Sequence, residues 1–145
     1  MTEYRKDLDT LQQLGSQKTN YTFDAPTKET FETFSNPHPQ RNYQIKIGFP
    51  EFTSLCPKTG QPDFATITIK YVADALCVET KSLKLYMFQY RNYGAFMEDI
   101  VNTILNDLVS VLKPREALVI GEFNTRGGTD MTVSAKYPSD LSVEY

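Results

Sequence analysis

Two segments of the chain alternate strictly between apolar and polar residues, and each predicts a strand with one dry and one wet face. Tyr43, Ile45 and Ile47 alternate with Asn42, Gln44 and Lys46, and Ile67, Ile69 and Tyr71 alternate with Thr66, Thr68 and Lys70. The strands are expected over about 42–48 and 64–73. The stretch 49–64 between them, FPEFTSLCPKTGQPDF, keeps no such period and reads as a long loop. Loops of that length inside a compact domain are usually functional or disordered. Phe49, Phe52, Leu55 and Phe64 are expected to anchor it, and Pro50, Pro57 and Pro62 stiffen it by fixing φ.

Further along, the period changes. Leu83, Tyr86, Met87 and Tyr90 recur at helical spacing over about 82–90. A better helix follows over about 95–112. There Phe96, Ile100, Ile104, Leu108 and Val111 form a stripe, with Asp99, Asn102, Thr103, Asn106 and Asp107 mostly opposite. Lys113-Pro114 ends it, the lysine suiting the helix dipole and the proline unable to continue. Two more strands are expected over 117–123 and 129–136, joined by a turn at 125–128.

Residues 1–40 read as a lead-in, with a short amphipathic turn at Leu8, Leu11 and Leu14, a strand-like piece at 20–23, and breaks at Pro26, Pro37 and Pro39. Residues 41–137 form the main domain and 138–145 a polar tail, one domain overall. The order strand, strand, helix, helix, strand, strand predicts an α+β layer: a four-stranded antiparallel sheet with two helices on one face. Strand 117–123 is apolar on both faces, which implies that the sheet's second face is covered, by another subunit.

A chain of 145 residues suffices for one real core. The net charge of −3 does not advertise nucleic-acid binding. No apolar run approaches a membrane span, and the polar N-terminus lacks a signal-peptide pattern. Cys56 and Cys77 are therefore expected to be free thiols in a reducing, cytoplasmic compartment. The single histidine, His38, lies between prolines and reads as an exposed loop residue.

Cys56 lies in a polar turn beside Lys58, whose charge would favour the thiolate. Asp63, seven residues on, can move a proton. The competing reading is a half-buried thiol and a turn-forming aspartate. Cys77, in the apolar run 75–78, reads as core. No spacing supports zinc, and no Gly-x-Gly-x-x-Gly follows a strand. From the residues alone, a cysteine enzyme and a ligand-binding domain both stand.

The segment 79–86, ETKSLKLY, resembles the signature of the NADPH-dependent 7-cyano-7-deazaguanine reductases, the nitrile reductases of queuosine biosynthesis. The stretch 52–64 resembles that family's active-site segment. Phe88-Gln-Tyr-Arg-Asn92, Phe96-x-Glu-Asp99, Asn106-Asp107-Leu108 and Arg126-Gly-Gly128 fall in register with it. The likeness spans about 14–136, the short single-module form. It implies the tunnelling fold, assembled into a multi-subunit barrel of two stacked pentamers with sites between subunits. It implies a Cys56 thiolate that adds to the nitrile carbon to give a thioimide, with Asp63 supplying the proton. Two NADPH then reduce the adduct to the aminomethyl product. By resemblance, Glu98, Met97, Val78, Glu79 and Thr80 contact the substrate, and Thr80, Lys81, Lys84, Arg126 and Gly127 contact NADPH. No metal, membrane or direct nucleic-acid partner is implied.

The chain departs from the family's pattern twice, with Thr80 where serine is usual and Met97 where histidine is usual. Two other outcomes stay open: an amidine-forming relative acting on modified tRNA with ammonia, and a ring-forming binder without catalysis.

Overall fold

The strand predicted at 42–48 continues well past the point where its alternation stops. In the computed structural model, which describes residues 25–139, strand β2 runs Gln44–Leu55 and pairs antiparallel with β3, Pro62–Val72. The register steps from Phe49↔Ile67 to Phe52↔Ala65, so Pro50 and Glu51 together oppose Thr66. That bulge breaks the period of two and hides the strand. Pro50 is tolerated because β2 is an edge strand, where a missing N–H need not cost a ladder bond.

The expected long loop is therefore corrected to a tight turn over 56–61. Its supposed anchors divide accordingly: Phe52 is fully buried in the core, whereas Phe64 is 52 % exposed.

A short strand β1, Thr33–Ser35, pairs with β4, Leu76–Val78, as a separate two-stranded sheet that the sequence pattern did not reveal. Each is three residues long, too short to show a period. Helix α1, Thr80–Phe88, begins earlier than its apolar spacing suggests, because Glu79 caps it. Helix α2 is Met97–Leu112, ended by Lys113 at φ 46°. Strands β5, Glu116–Arg126, and β6, Thr129–Tyr137, complete a four-stranded antiparallel sheet in the order β2-β3-β5-β6. Gly127 and Gly128, both at positive φ, make the two-residue hairpin turn between them.

Both helices pack on one face of this sheet, α1 near β2 and α2 across β5 and β6. That face carries Ala65, Ile67, Ile69, Tyr71, Val119 and Phe123, all buried against Ile100, Val101, Ile104 and Leu108. Full burial of a Val, Leu, Ile or Phe side chain contributes about 1.5–3 kcal/mol. The other face is open and mixed: Thr66, Thr68 and Lys70 lie beside Leu118 and Ile120, which remain half-buried. The described part of the lead-in packs on α1, with Phe31 against Tyr86 at 4.3 Å between ring centres. Residues 8–14, 20–23 and 140–145 lie outside the described residues.

Candidate functional site

Cys56 begins the 56–61 turn, and its backbone is tied at both ends. Its N–H donates to Gln61 O at 2.8 Å, and its carbonyl accepts from Gly60 N–H at 3.0 Å. Pro57 sets φ for the first turn residue, so the following N–H groups point back at the sulfur as they would at a helix cap. The Cys56 thiol is brought down to about 7, chiefly by the Thr59 hydroxyl, then by the Thr59 and Lys58 backbone N–H groups, with a smaller contribution from Arg126. The sequence pointed to the charge of Lys58; in the structure it is the Lys58 backbone that acts.

A second segment clamps this turn. Leu55 N–H donates to Tyr93 O and Ala95 N–H donates to Leu55 O, each at 3.1 Å, so residues 93–95 run alongside the end of β2. A Cβ at Gly94 would stand 3.1 Å from Pro57 Cα. The absence of a side chain there is what allows the approach, and it delivers the first turn of α2 to the thiol. Phe96 occupies the helix cap position without a side-chain hydrogen bond, and Met97 and Glu98 follow.

Asp63, near the start of β3, is 6 % exposed and accepts from Arg126 Nη1 at 2.9 Å. Arg126 arrives from the end of β5, just before the glycine turn. Cys56, Asp63, Met97, Glu98 and Arg126 thus line one cleft of about 190 Å³, together with Phe96 and Met131.

The other residues expected at the site lie elsewhere in the chain. Val78 is buried in the core, and its N–H donates to the Tyr71 hydroxyl at 3.1 Å. Tyr71 is eight residues along β3 from Asp63, about 26 Å of strand. Glu79 caps α1: its two carboxylate oxygens accept from Lys81 N–H at 2.7 Å and Ser82 N–H at 2.8 Å. Those N–H groups, Lys81's first, hold the Glu79 carboxyl below its ordinary value. Thr80, Lys81 and Lys84 are exposed on the same helix. Within one chain, then, the structure joins the first group and leaves the second at the far end of β3. Arg126, expected on a cofactor phosphate, instead engages Asp63 in this structure, and Gly127 is part of the hairpin turn.

Thr59, the tyrosine-glycine clamp and Met131 escaped the sequence reading. Thr59 had one legible signal, a hydroxyl three residues after a turn-opening Cys-Pro. Among the described residues no group of three or more His, Cys, Asp or Glu is placed to hold a metal, and no helix is long and apolar enough to cross a membrane.

A family model described as QueF-like protein matches residues 62–141. The chain is 51 % identical over 138 residues to an NADPH-dependent 7-cyano-7-deazaguanine reductase of Bacillus velezensis, covering 94 % of this chain and 83 % of that protein. A protein of the same name from Nitrosococcus oceani is 58 % identical over 112 residues, covering 77 % of this chain and 86 % of its own. In fold, the chain is similar to the crystal structure of the archaeosine synthase QueF-Like in the apo form. That likeness has a TM-score of 0.59 at 16 % identity and covers 68 % of this chain and 94 % of the other.

Proposed function

Because the chain belongs to the family of QueF-like proteins and NADPH-dependent 7-cyano-7-deazaguanine reductases, we propose that the Cys56 cleft is where it reduces a nitrile. It is an NADPH-dependent oxidoreductase acting on 7-cyano-7-deazaguanine. The observation that carries the mechanism is the meeting of a thiol brought to about 7 with a buried, ion-paired carboxylate in one cleft.

A nitrile is a poor hydride acceptor. The Cys56 thiolate adds to the nitrile carbon, forming the C–S bond and moving one C–N π pair to nitrogen. Asp63 supplies the proton that nitrogen takes up, which leaves a thioimide on Cys56. NADPH, as co-substrate, supplies a hydride to that carbon. Expulsion of the Cys56 thiolate then leaves an imine, which a second hydride and a proton taken up from solvent convert to the aminomethyl product. Glu98, exposed at the mouth of the cleft, offers two oxygens to the paired N–H donors of a guanine-like edge. Met97 packs against the ring plane but neither donates a hydrogen bond nor moves a proton.

The residues present fit a dinucleotide by charge. Lys81 and Lys84 are exposed and one helical turn apart, hence on one side of α1. The α1 N-terminus itself is already occupied by the Glu79 carboxylate, so the lysine side chains, not the backbone N–H groups, would hold a phosphate.

The site is shared between subunits on this reading. Two observations support it: Glu79, Thr80, Lys81 and Lys84 lie far from Cys56 in their own chain, and β2 and β6 are both sheet edges. A neighbouring copy would bring its α1 start to this Cys56 cleft and cover the open sheet face, in the two stacked pentameric rings that the resemblance implies. Incubation with 7-cyano-7-deazaguanine tests the activity. Two NADPH should be oxidised per aminomethyl product; no NADPH consumption at any substrate concentration would refute it.

A further inference from the structure

Among the described residues, Ser54 Oγ is the buried side-chain polar atom that makes no hydrogen bond. Ser54 is fully buried, so this is a hydroxyl stripped of water with nothing in exchange, an arrangement that costs stability. Alanine or valine would suit a buried strand position without that cost. Ser54 stands two residues before Cys56, and its cross-strand register partner is Asp63. Directly opposed residues hold their Cβ atoms about 4.5–5.5 Å apart on one sheet face, within reach of each other's polar atoms after a side-chain rotation.

We propose that Ser54 is a positioning residue for Asp63, serving the protonated form of that carboxyl during turnover. The argument rests on what each neighbour can offer. Arg126 donates to Asp63 Oδ1, and a guanidinium only donates, so it partners a carboxylate but not a carboxylic O–H. Asp63 takes up the proton that the Cys56 thiol releases on ionising in the same cleft, and that proton needs an acceptor while it waits for substrate. The Ser54 hydroxyl has free lone pairs on the neighbouring strand and accepts it. At transfer the substrate nitrogen replaces Ser54 as acceptor; the O–H bond of Asp63 breaks, and its electron pair stays on the carboxylate. Ser54 is thus unpartnered in the ion-paired state seen here and engaged in the acid state that follows.

This inference rests on the reductase reading and is tested apart from it. In Ser54→Ala, thermal unfolding should not fall, and alkylation of Cys56 by iodoacetamide, which needs no proton from Asp63, should keep its wild-type rate. Thioimide formation and NADPH-dependent turnover should both drop about tenfold, the rate equivalent of one lost hydrogen bond. Wild-type turnover in Ser54→Ala, or alkylation and turnover lost in equal measure, would overturn the proposal. Absence of turnover in the wild type would instead count against the reductase reading. The crystal structure of Asp63→Asn, whose neutral side chain imitates the acid, decides the point without any reaction. Ser54 Oγ within about 3.0 Å of the amide at position 63 supports the proposal, and Ser54 still without a partner there refutes it.

Discussion

The Arg126 guanidinium reaches from the end of β5 to the Asp63 carboxylate at the start of β3, 2.9 Å from Nη1 to Oδ1. Asp63 is 6 % exposed, so this one cation compensates a carboxylate that has lost most of its water. Arg126 also contributes to lowering the Cys56 thiol. Arg126→Gln should therefore weaken both stability and chemistry. Leaving a buried acceptor without its partner costs about 1–3 kcal/mol. Urea unfolding should show that loss as a lower midpoint with an unchanged slope, and turnover should fall with it. An unchanged midpoint would mean that the pair contributes nothing to the fold.

The Cys56 thiol has a second, testable signature in pH. Its value near 7 means that thiolate is present above neutrality and is lost as pH falls below it. The rate of iodoacetamide alkylation should rise with a midpoint near 7. Because the Thr59 hydroxyl is the largest cause, Thr59→Val should move the midpoint upward, toward the ordinary thiol range. A midpoint unmoved by Thr59→Val would assign the effect to the backbone N–H groups alone.

Met97 lines the cleft half-buried, at the position where the resemblance places histidine. If a proton-moving side chain there serves steps after addition, the wild type forms the adduct readily and turns over slowly. Met97→His should then raise NADPH-dependent turnover at least severalfold, since acid–base assistance is worth about 10²–10⁴ in rate. Single-turnover measurements separate adduct formation from hydride transfer. Equal hydride-transfer rates in the two proteins would show that residue 97 only packs.

Much of the fold was legible because its long elements carry a clean period. Ile100, Ile104 and Leu108 of the stripe and the alternation Ile67, Ile69, Tyr71 lie where their spacing places them, whereas Phe96, expected at the head of the stripe, is the exposed cap residue before the helix. What failed had local causes. The bulge at Pro50-Glu51 removed the alternation that would have marked β2 as far as Leu55. Strands β1 and β4, three residues each, offer no period at all. At the site, Cys56 and Asp63 were visible as residue types with a known chemistry. The Arg126 ion pair was not, because the register that brings position 126 to position 63 depends on how β3 and β5 pair. Glu79 could be read as a substrate contact, and nothing in its neighbourhood announced that both its oxygens cap α1.

The separation of Cys56 from Glu79 within one chain makes the shared site testable without a crystal. Cys56→Ala and Glu79→Ala should each be inactive alone. Dissociated, mixed and reassociated, they should regain turnover, since some neighbours then combine an intact Cys56 with an intact Glu79. No recovery on mixing, with both variants still assembling, would place every site within a single chain.

The most direct test of the account is the bond it requires. Wild-type protein and Cys56→Ala are each incubated with 7-cyano-7-deazaguanine in the absence of NADPH, and the intact and digested proteins are weighed by mass spectrometry. The account predicts a mass increase equal to one substrate molecule on the peptide carrying Cys56, absent from Cys56→Ala and discharged when NADPH is added. A wild type that consumes NADPH with this substrate yet never carries it on Cys56, or a Cys56→Ala variant that turns over at the wild-type rate, would contradict it.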